Sequence, residues 1–511
     1  MSYTIGIDLG TTNSTVSVYR KGMTETLDVE GQNSLPSVVS FLANGNILVG
    51  QSAKNRILMD PDNTISSSKR FIGDPSISYN IQGKKFTPTS VASHILKKLV
   101  KSARNLLGQE VWDVVITVPA YFTEAQREET KRAGEEAGLN VLRLLPEPTA
   151  AAISYGLDKN KDQLIMVYDL GGGTFDVSIL EVKGNEFRVK AVDGDSALGG
   201  DDFDKKIVEW AAGKLKNQTG IDIFSDQGDS ARKSLQQMKE AAENVKKTLC
   251  ESSSARFSLP NVMGQSLDLE ISLSEFNELI TPLVEKTIKK IQSVMSDANL
   301  TAMDIDRVIL VGGSTKNKII KEKVTQCIKE PFIAERVDEA VSNGAAIVAA
   351  SLSLPEEDML PIEISDVTPH SLGLEMLNEK EEVVFCPIIK RQTAYPCKDG
   401  ILGSTVFPNQ EAVALKVYRG EDKDPGENTF LGELGLPISS PKNEIVPVGA
   451  IFELDKDGII HFTAIEFSLS IDSKSVFDYA AMNEGKLHLD EVERLMLSNK
   501  VKTRSVEINS N

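Results

Sequence analysis

The chain has 511 residues, of which 41% are hydrophobic and 25% charged, with a formal net charge of −18. That composition is ordinary for a folded protein, the length suits about two to four domains, and the acidic balance argues against nucleic acid or an anionic membrane as the main partner. No apolar run is long enough to span a bilayer, and the chain enters a strand without a basic, then apolar leader, so a cytoplasmic protein is expected.

The first element is a strand–turn–strand signal, Ile7-Asp8-Leu9-Gly10-Thr11-Thr12-Asn13-Ser14-Thr15-Val16-Ser17-Val18. Strands are then predicted at Thr24–Val29, Ser37–Phe41 and Ile47–Val49. Lys69 and Arg70 follow; taken alone, such a basic pair reads as solvated. An amphipathic helix is predicted over Ser90–Leu107 and a buried strand over Val114–Val118, stopped by Pro119. Thr123 and Gln126 have the spacing of a capping box opening the next helix. The strand Val141–Leu145 delivers Glu147 between Pro146 and Pro148 at a helix start, where a carboxylate can orient water or simply complement the helix dipole.

Tyr168-Asp169-Leu170-Gly171-Gly172-Gly173-Thr174-Phe175-Asp176 is the most informative stretch, set between apolar runs at Leu164–Val167 and Val177–Leu180. Its glycines let backbone amides approach an anion, and its two aspartates require a cation beside any phosphate held there. Aligning Asp8 with Asp169 repeats Asp-Leu-Gly, then small polar residues, then Val-Ser and another apolar residue (Val16-Ser17-Val18 against Val177-Ser178-Ile179). A repeat at long offset implies a duplicated unit, hence two lobes closing on one nucleotide.

Farther along, Ala231–Glu251 is a predicted helix with Glu243, Lys246 and Cys250 on one face. Val308–Val311 is a buried strand entering the turn Gly312-Gly313-Ser314-Thr315-Lys316, where a phosphate or sugar could bind, although no P-loop spacing occurs. Glu339–Ser351 is Ala-rich and helical. An acidic linker is placed at 355–365, beginning Pro355-Glu356-Glu357-Asp358. Short strands follow at Val383–Phe385, Val413–Val417, Ala450–Leu454 and Ile459–Ala464, the last two joined by an Asp455-Lys456-Asp457-Gly458 turn, which together read as a β-sandwich. Leu489, Val492, Leu495 and Met496 mark a helix, and Val501–Asn511 reads as a polar, frayed tail. Cys250, Cys327, Cys386 and Cys397 form no Cys-x-x-Cys pair, so reduced thiols are expected, with a Cys386–Cys397 bridge the lesser alternative.

Taken together, Gly6–Ser14, Lys69–Gly73, Val115–Phe122, Glu147–Ala152, Asp169–Asp176, Leu198–Asp204 and Val308–Thr315 resemble the seventy-kilodalton heat-shock protein chaperone family, within the actin-like ATPase superfamily. Asp366-Val367-Thr368-Pro369 with Ser371-Leu372-Gly373, and Val417–Glu421, resemble its peptide-binding β-domain; the likeness covers roughly residues 1–465. The resemblance implies an α/β, actin-like two-lobed ATPase domain over 1–354, the linker at 355–365, a β-sandwich peptide-binding domain over 366–480, and a short C-terminal lid helix with a tail over 481–511.

It further implies ATP or ADP with Mg²⁺ as cofactors. Gly10, Thr11, Thr12, Asn13, Gly172, Gly173 and Thr174 would meet phosphates; Asp8 and Asp169 would face Mg²⁺ through its waters. Lys69, Glu147, Asp176 and Thr174 would form the hydrolytic centre, and Glu243, Lys246, Cys250, Gly313, Ser314 and Lys316 would hold adenosine. Pro119 and Arg127 resemble the family's interdomain relay, Arg143 a J-domain contact, and Leu374, Leu377, Val406 and Val413 the peptide site. Unfolded polypeptides, a J-domain cochaperone and a nucleotide-exchange factor are the implied partners. Lys316 stands where the family commonly has Arg, Pro146 where Asn is common, and Gly403 where a large apolar pocket residue is expected. The linker Ile362-Glu363-Ile364-Ser365 is less apolar than usual, and most of the helical lid is missing. An ATP-regulated chaperone is therefore the leading expectation. The alternative is a non-catalytic ATP-binding cochaperone, and a small-molecule kinase of the superfamily is disfavoured by the β-domain.

Overall fold

The computed structural model describes residues 3–155, 162–226, 228–332, 338–355, 361–378, 380–439, 443–467, 474–498 and 500–507. Residues 356–360, within the expected linker, lie outside this set. The chain forms two compact units, Met1–Phe122 with Glu129–Ile364, and Thr123–Glu128 with Ser365–Asn511.

The first unit holds two sheets built on one plan. In the first, the strand order is Asn140–Pro146, Asp113–Val118, Ile5–Asp8, Asn13–Arg20, Met23–Thr26. In the second it begins Arg307–Val311, Gln163–Leu170, Phe175–Lys183, Glu186–Asp195. Each aspartate-bearing strand, Ile5–Asp8 or Gln163–Leu170, has a parallel neighbour on one side and an antiparallel hairpin partner on the other. The repeat seen in the sequence is thus a repeat of topology. Each sheet has its own core: Ile5, Ile7, Val16, Leu96 and Ile116 in one, Tyr168, Phe175, Phe203, Phe257 and Phe276 in the other. Ile5–Asp8, Gln163–Leu170 and Arg307–Val311 are buried along most of their length, which explains their continuous apolar runs.

The amphipathic helix runs Pro88–Leu107, opened by a capping box between Thr87 and Ser90. The expected box at Thr123 forms too: Gln126 N–H donates to Thr123 Oγ1 at 3.3 Å and Thr123 N–H to Gln126 Oε1 at 3.0 Å. Helices at Gly200–Thr219 and Leu273–Asp297, and the hairpin Ser254–Val262/Gln265–Ser272, complete the second lobe. At the end of this unit Glu363 N–H donates to Asn185 O at 3.1 Å, so the linker adds backbone pairing to a sheet edge despite its polar sequence.

In the second unit two four-stranded antiparallel sheets face each other. One has the order Val383–Ile389, Leu372–Leu377, Ala412–Arg419, Thr429–Pro437; the other runs Cys397–Ser404, Pro447–Leu454, Ile460–Glu466, Lys502–Glu507. Leu374, Val417, Leu434, Phe452 and Phe462 fill the space between them. The Asp455–Gly458 turn closes its hairpin as expected, with Asp455 N–H on Ile459 O at 3.1 Å.

The C-terminal expectation is corrected in two respects. Lys502–Glu507 is not a frayed tail but a strand, paired antiparallel with Ile460–Glu466 from Glu466↔Lys502 to His461↔Glu507. The helix Leu489–Leu497, with a second helix Lys474–Met482, is inserted before that strand and is not a lid over the Leu372–Leu377 sheet. Val476, Leu487, Val492 and Leu495 pack with Ile451, Ile465 and Phe467 of the opposite sheet. The turn between the helices also seals an edge: Leu402 N–H donates to Gly485 O at 2.7 Å and Leu487 N–H to Gly400 O at 2.9 Å. All four cysteines are free thiols, so no Cys386–Cys397 bridge forms.

Candidate functional site

The two glycine turns converge. Gly171 N–H closes the second on Thr174 O at 3.0 Å. The start of the Gly200–Thr219 helix fixes it from behind, with Gly200 N–H on Gly171 O at 3.0 Å and Asp201 N–H on Gly172 O at 2.8 Å. The tips then touch: a Cβ on Gly172 would stand 1.9 Å from Thr12 Oγ1 of the first turn, so glycine is required there. Thr12 Oγ1 itself is buried and has no hydrogen-bond partner among the described residues.

Around these tips lies a cavity of about 490 Å³, a size that suits a nucleotide-scale ligand. Of the expected residues, Asp8, Gly10, Thr11, Thr12, Asn13, Lys69, Glu147, Asp169, Gly172, Thr174, Glu243, Lys246, Cys250, Gly313, Ser314 and Lys316 all line it. Gly173 does not; it packs against Thr11 and Arg70. Asp176 lies beneath the lining, 1% exposed, and accepts from Tyr121 N–H at 2.8 Å.

Lys69 and Arg70 are the clearest departure from the bland reading of a basic pair. Lys69 is buried and its Nζ lies 2.7 Å from Glu147 Oε1. Arg70 donates to Gly173 O and Ala197 O and pairs with Asp202, joining the first lobe to the second. Beside the Lys69–Glu147 pair stand Asp8, Asp169 and Asp176. Burial, then the Glu147 charge, push the Asp8 carboxyl up to about 7, against the opposing pull of Lys69 and a Thr117 hydroxyl at 3.2 Å. Burial and the charges of Glu147, Asp176 and Asp8 hold Asp169 well above the usual carboxylate range. Crowded buried carboxylates take up protons unless a cation joins them. The donor set therefore fits Mg²⁺ with a polyphosphate: acids on one side, glycine amides and a free Thr12 hydroxyl on the other. Among the described residues no three His, Cys, Asp or Glu side chains converge as a metal's direct ligands.

On the side of the cavity away from Lys69, Lys246 Nζ donates to Asp204 Oδ2 at 2.7 Å and Gly200 O at 3.0 Å, and Ser314 Oγ donates to Gly171 O at 2.8 Å. Burial would raise the Glu243 carboxyl, but Lys247 and Lys54 outweigh it and bring it to about 2. Lys54 Nζ, from the first lobe, reaches Glu243 Oε2 of the second at 3.1 Å and closes the rim. Lys316 pairs with Asp338 at 2.6 Å, both half exposed. Asp338 and Lys54 are marked by no sequence motif; each is a polar residue whose contacts depend on where distant segments meet.

The remaining expected residues fall elsewhere. Pro119 ends its strand just before Tyr121. Arg127 is buried and groups with the second unit, its Nη1 3.3 Å from Asp457 O. Arg143 lies on the Asn140–Pro146 strand. Of the peptide-site candidates Leu377 and Val406 are exposed and Val413 is half-buried, whereas Leu374 is sealed in the inter-sheet core. Met376 extends toward Gly403, its methyl 3.5 Å from where a Cβ there would be, and partly fills the expected pocket wall.

No helix among the described residues is long and apolar enough to cross a membrane. A family model described as Hsp70 protein matches residues 4–507 of the chain.

Proposed function

The chain belongs to the Hsp70 family and so has, in general terms, a chaperone's role; we propose that it hydrolyses ATP in the two-lobed pocket and binds extended apolar polypeptide segments on its β-sandwich under control of that cycle. The observation carrying the first half is the buried Lys69–Glu147 pair set among Asp8, Asp169 and Asp176 directly beneath two glycine turns.

Phosphoryl transfer to water needs positioning and charge neutralisation more than covalent chemistry. Amides of the Gly10–Asn13 turn and of the Gly172–Thr174 segment bind phosphate oxygens, Gly171 N–H being already donated to Thr174 O. Lys69 places a positive charge beside the terminal phosphate, and Glu147, held by Lys69, orients the attacking water. Asp176, fixed by Tyr121 N–H, supports the same water. Asp8 and Asp169 would hold Mg²⁺, which when bound would supply positive charge to the phosphates and the leaving group. Glu243, Lys246, Ser314 and Lys316 orient the nucleoside, with the Cys250 thiol alongside. The polypeptide site is built around Leu377 and Val406; among the described residues the C-terminal helices pack on Ile451, Ile465 and Phe467 and not on these two, so exchange of bound peptide is fast. J-domain and nucleotide-exchange cochaperones are the partners that this cycle calls for.

The test is release of a labelled extended apolar peptide from the full chain in ATP and in ADP. Faster release in ATP, together with ATP turnover stimulated by peptide, supports the cycle. Release in both states that is slow, over minutes, or indifferent to nucleotide contradicts it and leaves ATP as a structural ligand.

A further inference from the structure

Tyr121 and Phe122 form a short segment that touches the hydrolytic centre twice. The Tyr121 amide donates to Asp176 Oδ1 at 2.8 Å, and Lys69 Nζ lies 5.4 Å from the centre of the Phe122 ring. Whatever fixes this segment therefore fixes both a carboxylate and the ammonium of the centre.

Two contacts grip Tyr121 from outside the pocket. On one side is Gly194, directly opposite Asp176 in the Phe175–Lys183/Glu186–Asp195 ladder. A Cβ on Gly194 would come 2.8 Å from Tyr121 Cβ and 2.6 Å from Phe175 O, so the tyrosine is pressed onto bare backbone. On the other side is Lys290, from the middle of the Leu273–Asp297 helix. Its Nζ lies 5.4 Å from the centre of the Tyr121 ring and 2.9 Å from Asp193 Oδ1. Asp193 is 4% exposed, and the same oxygen accepts Gly194 N–H at 2.8 Å. One carboxylate thus ties the lysine to the residue that backs the tyrosine. A cation over an aromatic face gains most when its charge is partly desolvated and directionally held, and the buried Asp193 provides that hold.

We infer that Lys290 is a positioning residue for hydrolysis: paired with Asp193, it clamps the Tyr121 ring so that the Tyr121 amide holds Asp176 in place. The inference rests on the ATPase reading of the pocket. Lys290 does not line the cavity, so its effect falls on the rate and not on binding.

The experiment is single-turnover ATP hydrolysis and nucleotide affinity for the full-length wild type, Lys290→Met, Lys290→Arg, Tyr121→Phe and Lys69→Ala. Lys290→Met is expected to slow hydrolysis roughly tenfold with the dissociation constant for ATP unchanged, a misplacement effect of ordinary size. Lys290→Arg and Tyr121→Phe, which keep a cation over a ring, are expected to stay within about twofold of wild type. Lys290→Met at the wild-type rate, equal losses in the Met and Arg variants, or a fall in affinity matching the fall in rate would each overturn the inference while leaving the ATPase reading intact. Wild type no faster than Lys69→Ala would instead remove the reading on which it rests.

Discussion

Replacing Lys69 by Met removes the ammonium that stands against the carboxylates of Asp8, Glu147, Asp169 and Asp176. Its side chain is 6% exposed and its partner Glu147 10%, at 2.7 Å. Removing one member of a buried ion pair costs about 3–5 kcal/mol, because the other charge stays buried. Here the cost should depend on pH. Asp8 is already raised to about 7 by burial and by Glu147, and Lys69 works against that rise. A carboxyl with a raised native pKa binds more protons folded than unfolded. The stability it lends is complete below its unfolded value, about 4, and is lost as pH climbs through its folded value. In the wild type without ligand, stability therefore declines between about pH 4 and 7 on Asp8's account. In Lys69→Met the folded values of Asp8 and Asp169 rise further and the decline extends to higher pH. The expected destabilisation is about 3–5 kcal/mol at pH 8, shrinking by half or more at pH 5.5. Both tryptophans, Trp112 and Trp210, lie in the first unit, so intrinsic emission during urea unfolding follows that unit. Glu147→Gln, which leaves Lys69 facing Asp8 and Asp169, should cost less than Lys69→Met at pH 8. Equal losses at both pH values, or none at pH 8, would refute the charge balance assigned to the pocket.

Other consequences are open to simpler assays. Gly172→Ala pushes a methyl into Thr12 Oγ1 and should weaken ATP binding at least tenfold by equilibrium titration, a shift of about 1.4 kcal/mol. Leu495→Ala should destabilise the second unit by about 2–5 kcal/mol, because Leu495 is fully buried against Ile451 and Ile465. It should leave ATP affinity unchanged, with circular dichroism and titration as the readouts. If the inserted helices were a loose lid, the same change would cost almost nothing.

The two glycine turns that meet at the cavity were largely legible in the sequence because their conformation is set locally. Asp-Leu-Gly followed by small residues fixes a hairpin whichever fold surrounds it, and the second copy at Asp8 made the pair meaningful. Lys69 was not legible from its neighbours. A Lys-Arg pair after three serines is indistinguishable from a solvated one until Glu147 arrives from far along the chain. The same holds for Lys290 and Asp193, ordinary residues on an ordinary helix and strand. The C-terminal strand was missed for another reason. Lys502-Thr503-Arg504-Ser505 presents no apolar face, and the strand is held at a sheet edge by backbone pairing. For Leu489–Leu497 the apolar stripe correctly indicated a helix with something to cover. A stripe does not say which sheet it covers, and the structure puts it against Ile451 and Ile465, not over the Leu372–Leu377 sheet.

The claim on which the rest depends is that the pocket beneath the two glycine turns breaks the terminal phosphate bond of ATP. The direct measurement is conversion of a substoichiometric amount of ATP by the full chain with Mg²⁺, for wild type and Lys69→Ala. ADP is expected to form in a single exponential phase with wild type, and that phase to be lost in the variant while ATP still binds. ATP recovered intact from wild type that binds it, or equal conversion by both proteins, would contradict it.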